Sequence, residues 1–117
     1  MKGKKQSAKK DKQAIPNEVK KQVDEIVLDF NRKVLQDPNY YYVTRYKGNY
    51  LYLDRYDYGK LGPICRLKYT GDINNWGFAI FKYSNERYDP DEWFFPGSGH
   101  VDGTIEGAMK AGLEAYP

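Results

Sequence analysis

The sequence is poor in the residues from which metal centres and nucleophilic sites are usually built. It has one cysteine and one histidine in 117 residues, which excludes an internal disulfide and a thiolate metal cluster. No stretch matches a catalytic motif, a metal-ligand spacing or a dinucleotide fingerprint. We therefore expect a protein that is not an enzyme and that requires neither a cofactor nor a metal ion.

Long apolar runs are also missing. No window approaches the roughly 18 consecutive apolar residues that a membrane-spanning helix requires, and the basic N-terminus lacks the apolar core of a signal peptide. These absences predict a cytoplasmic protein that does not contact a membrane.

Positive charge is concentrated at the N-terminus, where residues 1–15 contain six lysines and one aspartate. This segment has too few apolar side chains to offset the entropy lost on ordering, so we predict a disordered lysine-rich tail over 1–15 and a single folded domain over 16–117. The tail is either a solubility segment or an arm that contacts phosphates. Its candidate phosphate contacts are Lys4, Lys5, Lys9 and Lys10.

Helical periodicity marks both ends of the folded domain. Residues 16–36 repeat apolar side chains at helical spacing, and 102–116 do the same. The first apolar stripe consists of Val19, Val23, Ile26, Val27, Phe30 and Val34. The second consists of Ile105, Ala108, Met109, Gly112, Leu113 and Tyr116. A glycine on such a stripe predicts a close approach between the helix and its neighbour, here at Gly112.

Between the helices, four segments have the composition of strands: 40–47, 50–56, 63–69 and 76–83. Gly48-Asn49 predicts a tight hairpin. In the third strand Cys65 is expected to face the core, with Ile64 on the opposite side. The order α-β-β-β-β-α predicts an α+β fold, a two-layer sandwich with both helices packed on one face of a four-stranded antiparallel sheet.

The segment 84–102 is expected to be irregular. Its three consecutive aromatics, residues 93–95, are costly to expose and should tuck under the sheet or form a brief edge strand. Acidic residues and the histidine of this loop could also hold a divalent cation, so a metal-assisted hydrolase is a less favoured alternative. The residues concerned are Asp89, Asp91, Glu92, His100 and Asp102.

Tyrosine is the most distinctive residue, with 12 in the chain. Aromatics interleaved with basic groups on an open sheet bind single-stranded nucleic acid by base stacking and phosphate contact. Tyrosines also stabilise sheets through cross-strand pairs or form protein interfaces, and both alternatives stay open. The candidate binding residues on the sheet are Tyr42, Tyr46, Tyr50, Tyr52, Tyr56, Arg66 and Lys68.

Several short motifs resemble a family of small uncharacterised prokaryotic proteins. They are GPICRLKY at 62–69, WGFAI at 76–80, EWFFPG at 92–97 and VDGTIEGA at 101–108. The resemblance covers roughly residues 40–117. It implies an independent small domain and implies no activity.

Overall fold

The computed structural model describes residues 14–117, so the four candidate lysines of the tail lie outside the described residues. The elements are helix α1 (Asn17–Phe30), a π-helical turn (Asn31–Leu35), strands β1 (Tyr40–Lys47), β2 (Tyr50–Asp57), β3 (Lys60–Lys68), β4 (Gly77–Lys82) and β5 (Arg87–Asp89), a 3₁₀ turn (Ser98–His100) and helix α2 (Ile105–Ala115). The prediction of an α+β chain with an antiparallel sheet is confirmed.

The sheet has five strands in the order β1-β2-β3-β4-β5, and every neighbouring pair is antiparallel. The prediction of four strands is therefore wrong by one. The chain turns back after β4, with Glu86 in the left-handed region at φ 57°, and Arg87–Asp89 pairs with the edge of β4. The edge strand is therefore formed by residues 87–89 and not by the aromatic triplet at 93–95. Phe94, in the middle of that triplet, is 97% exposed.

Helix α1 follows its predicted apolar stripe for most of its length. Val23, Val27 and Phe30 are buried, but Val34 is 54% exposed and its predicted burial is wrong. The reason is the π-helical turn at Asn31–Leu35, which widens the helix by one residue per turn and rotates the later positions away from the core. Leu35 packs against the core instead.

The folded unit begins before the predicted boundary. Ile15, which the sequence interpretation placed in the tail, is 2% exposed. Its backbone N–H donates to the carbonyl of Gly48 at 3.3 Å. Ile15 therefore fixes the start of α1 to the turn between β1 and β2.

Both helices contact β1 through Tyr42, which is 2% exposed. Its ring meets the ring of Phe30 in α1 edge-on, with centroids 6.1 Å apart. Its hydroxyl donates to the carbonyl of Met109 in α2 at 2.7 Å. A Cβ added to Gly112 would overlap the Tyr42 hydroxyl and a methyl group of Ile64, so the predicted close approach at Gly112 is confirmed.

A β-bulge between β2 and β3 turns Ile64 toward the core. Leu53 pairs with Cys65, but Asp54 pairs with Pro63, so the register shifts and Ile64 is skipped. Ile64 is 3% exposed, contrary to the prediction that it faces away from the core.

No helix of the described residues is long and apolar enough to cross a membrane.

Cys65 is buried, as predicted, and burial raises the pKa of its thiol. The thiolate is the reactive form of cysteine, so we expect the native protein to react with Ellman's reagent at pH 8 no faster than it unfolds. The measurement is the absorbance of released thionitrobenzoate with and without denaturant. Rapid release from the native protein would show that β3 opens readily.

Candidate functional site

One side of the sheet carries an interleaved set of basic and aromatic side chains. Strand pairing places Arg45, Tyr52 and Arg66 side by side across three strands, with Lys47, Tyr50 and Lys68 in the next parallel row. Tyr88 of β5 joins them through its ring contact with Tyr52 at 5.3 Å. We call this surface the Tyr/Arg face, and its residues are Arg45, Lys47, Tyr50, Tyr52, Arg66, Lys68 and Tyr88.

The arginines of the Tyr/Arg face stack on its tyrosines. The Arg66 guanidinium lies 4.3 Å from the ring centre of Tyr50 and 5.4 Å from that of Tyr88. The Arg45 guanidinium lies 4.4 Å from the ring centre of Tyr52. Cation–π contacts of this kind contribute about 0.5–1 kcal/mol each at exposed sites, so the arginines and tyrosines of the face stabilise one another's positions.

Positive charge on the Tyr/Arg face is only partly neutralised. Asp54, which is 6% exposed, accepts from Arg45 Nε at 2.8 Å and Nη2 at 3.2 Å. This hydrogen-bonded pair raises the pKa of the Arg45 guanidinium. Arg66, Lys47 and Lys68 form no ion pair with any residue that the structure describes.

Four of the predicted binding residues are brought together: Tyr50, Tyr52, Arg66 and Lys68. Tyr56 shares their side of the sheet but lies further along β2. Its ring stacks on that of Tyr41 at 5.0 Å, so this pair is a separate aromatic contact near the sheet end.

Tyr42 and Tyr46 do not belong to the surface that the sequence analysis assigned to them. Tyr42 is buried opposite Arg55, and burial raises the pKa of its hydroxyl. The Tyr46 hydroxyl donates to Asp24 Oδ1 of α1 at 2.7 Å. The two-residue turn pairs Lys47 with Tyr50, so odd positions of β1 share a side with even positions of β2.

Three residues of the Tyr/Arg face were not predicted from the sequence. Arg45 and Lys47 could have been found from the hairpin register, because a two-residue turn fixes which side chains are neighbours. Tyr88 could not, since β5 was not predicted as a strand.

The acidic loop does not form one cluster. Lys82 Nζ lies 2.9 Å from Glu92 Oε1 and 3.9 Å from Asp89 Oδ2, and its hydrogen bond lowers the pKa of Glu92. The His100 ring Nε2 lies 2.8 Å from Glu114 Oε2, while Asp102 accepts from the Thr104 hydroxyl at 2.6 Å. Among residues 14–117 no group of three or more His, Cys, Asp or Glu is placed to hold a metal ion.

Comparison with family models, curated proteins and solved structures finds no match to this chain. The resemblance to small uncharacterised prokaryotic proteins therefore stays a prediction. The candidate site rests on its own geometry.

Proposed function

We propose that this protein is a small, non-enzymatic binding module whose Tyr/Arg face binds single-stranded nucleic acid with little sequence preference. The observation that supports this most is Arg66, a half-buried cation held between the rings of Tyr50 and Tyr88 without a carboxylate partner among the described residues. An arginine held in this way offers both a stacking plane and a phosphate contact.

The proposed arrangement also assigns the helices to one side of the sheet. Tyr42 contacts α1 and α2, and Tyr46 contacts α1, on the side opposite to the Tyr/Arg face. We propose that both helices cover that side. A ligand would then reach the Tyr/Arg face without displacing either helix.

Bases would stack on the accessible parts of the half-buried rings of Tyr50 and Tyr52, as sheet-based RNA-binding domains stack two or three bases. Phosphates would contact the exposed side chains of Lys47 and Lys68, which lie on the two strands on either side of Tyr50. Such stacking and phosphate contacts do not distinguish one base from another. An intracellular ligand of this kind agrees with the cytoplasmic location expected from the sequence.

Fluorescence anisotropy of a labelled 12-nucleotide single strand would test the proposal through its salt dependence. With three free cations on the face, we expect log K to fall with log salt concentration at a slope of about −2 for the folded domain, because each neutralised phosphate of a single strand contributes about −0.7. The full-length protein should show a steeper slope if the lysines of the tail also bind.

The matched variant replaces all six lysines of residues 1–15, the four candidate contacts among them, by glutamine in the full-length chain. Binding that remains, with the slope expected for the face, supports the proposal. Complete loss of binding at low salt would place the affinity in the tail alone and would contradict a site on the sheet.

A protein partner is the second candidate, because tyrosine and arginine are enriched at the energetic centres of interfaces. Phe94, 97% exposed, and Trp93, 46% exposed, add apolar surface in the loop after β5. A complex built mainly on such apolar surface would depend little on salt. Self-association in size-exclusion chromatography at high salt, without oligonucleotide binding at low salt, would favour it.

A further inference from the structure

A buried guanidinium lies on the other side of the sheet from the Tyr/Arg face. Arg55 of β2 is 5% exposed and lies between two aromatic rings, 4.9 Å from the ring centre of Tyr40 and 5.5 Å from that of Tyr42. Its Nη1 donates to the Tyr42 hydroxyl and to the Gly112 carbonyl, each at 3.4 Å. Its Nη2 donates to the carbonyl of Tyr116.

All of these acceptors are neutral. No carboxylate of residues 14–117 forms an ion pair with Arg55, and its buried Nε–H has no acceptor among them. Carbonyls at the C-terminal end of α2 carry partial negative charge, but a buried cation ordinarily has a full counter-charge. The site is therefore electrostatically suited to an anion.

Arg55 is one of the residues that line a cavity of about 280 Å³. Its polar lining includes Arg55, Lys60 and Asp57, so its described side chains carry a net positive charge. The remainder of the wall is mostly apolar or aromatic, and includes Leu61, Ile64, Tyr83 and Tyr116. The volume is near the lower end of the range for small-molecule pockets, which begins at about 300 Å³.

We infer that this cavity is a binding site for a small organic oxyanion, a carboxylate or phosphate monoester attached to a compact apolar group. The charge of Arg55 and the ammonium of Lys60 attract the anionic group, and the Nε–H of Arg55, which has no acceptor among residues 14–117, supplies a charge-assisted hydrogen bond to it. The rings of Tyr83 and Tyr116 pack against the apolar part. This site is separate from the Tyr/Arg face and does not depend on nucleic-acid binding.

Arg55 also has a structural role, because its hydrogen bonds connect β2 to the end of α2. That role alone would require neither Lys60 nor a cavity with apolar walls. The test therefore leaves Arg55 unchanged and varies the ligand and the rim of the cavity.

The probes are benzoate, phenyl phosphate and the neutral analogue benzamide, titrated into the full-length protein. Calorimetry would give the affinities, and NMR would follow the side-chain N–H resonances of Arg55. We expect both anions to bind at least about tenfold more tightly than benzamide, since charge-assisted hydrogen bonds are the stronger class, and to shift the Arg55 resonances. Comparison of benzoate with phenyl phosphate, and of each with inorganic phosphate, identifies the preferred oxyanion and the contribution of the apolar group.

Lys60→Gln is the test variant because Lys60 is exposed, and Lys21→Gln on α1 is the matched control. We expect Lys60→Gln to weaken benzoate binding by about threefold or more through loss of one partly screened charge, and Lys21→Gln to leave it unchanged. Pro117 also lines the cavity, and a carboxylate at this position would compete with an anionic ligand. The titrations are therefore repeated on a chain extended by Gly-Ser after Pro117. Equal binding of benzoate and benzamide to that extended chain, or equal effects of the two lysine variants, would overturn the assignment.

Discussion

Replacing Gly112 by valine is expected to destabilise the domain by about 3 kcal/mol, the upper end of the usual cost of overpacking a core. A Cβ at this position would overlap the Tyr42 hydroxyl and a methyl group of Ile64. The hydroxyl cannot move aside freely, because it donates to the Met109 carbonyl and accepts from Arg55. The gain in helix propensity over glycine, which is less than about 1 kcal/mol, does not offset this overlap.

The measurement is the free energy of unfolding from urea denaturation followed by tryptophan fluorescence. Gly99→Val is the matched control, because a Cβ at Gly99 would have no neighbour within 4 Å. We expect the control to stay within about 0.5 kcal/mol of the parent protein. Equal stability of the two valine variants would show that α2 does not approach the sheet as closely as described.

Replacing Tyr52 by alanine is expected to weaken single-strand binding by about fivefold or more, since stacking of one base on an aromatic ring contributes about 1–3 kcal/mol. Tyr52 lies at the centre of the Tyr/Arg face, in contact with Arg45 and with the rings of Tyr50 and Tyr88. Its removal would delete one stacking plane and free the side chains that pack on it.

Tyr58→Ala is the matched control for this loss. Tyr58 is 64% exposed and its hydroxyl donates to Asp37, away from the Tyr/Arg face. We expect its affinity for the oligonucleotide to equal that of the parent protein, with thermal unfolding measured for both variants. Equal affinities of the two variants would exclude Tyr52 from the binding surface.

Arg66→Gln gives an independent readout of the same surface. Loss of one phosphate contact should lower the affinity and make the slope of log K against log salt shallower by about 0.7. Arg87→Gln, at an exposed position of β5, is the control. A slope unchanged by Arg66→Gln would mean that this guanidinium binds no phosphate.

Much of the fold could be predicted because its signals are local. Apolar spacing located α1 and α2, and the Gly48-Asn49 turn located the first hairpin. The π-helical turn could not be predicted, because a spacing of 3.6 residues projects Val34 onto the core. Arg87–Asp89 is too short for an alternating pattern, so the fifth strand depends on pairing with β4 and not on its own composition.

The candidate site was predicted in part. Tyr50, Tyr52, Arg66 and Lys68 share a surface because β2 and β3 alternate regularly at this end of the sheet. Tyr42 was assigned to the wrong side because the facing of β1 was inferred from residue type and not from the hairpin register.

The burial of Arg55 was not predicted from the sequence. Arg55 has the same parity as Leu51 and Leu53 in β2, and the alternation therefore places it on the core side. Its burial depends on the carbonyl groups at the end of α2, to which it donates. Those acceptors come from a segment more than fifty residues away in the chain, and no local pattern predicts them.

Photo-crosslinking of the full-length protein to a single-stranded oligonucleotide containing 4-thiouridine, followed by tryptic digestion and mass spectrometry, tests the proposed interface most directly. Cleavage after Lys47 and Arg55 releases the peptide 48–55, which contains both Tyr50 and Tyr52. We predict that this peptide carries the main crosslink, with a second at Tyr88, which fragmentation of the peptide 88–110 separates from residues 93–95. Crosslinks confined to residues 1–13 or to the aromatic triplet at 93–95 would contradict a nucleic-acid site on the Tyr/Arg face.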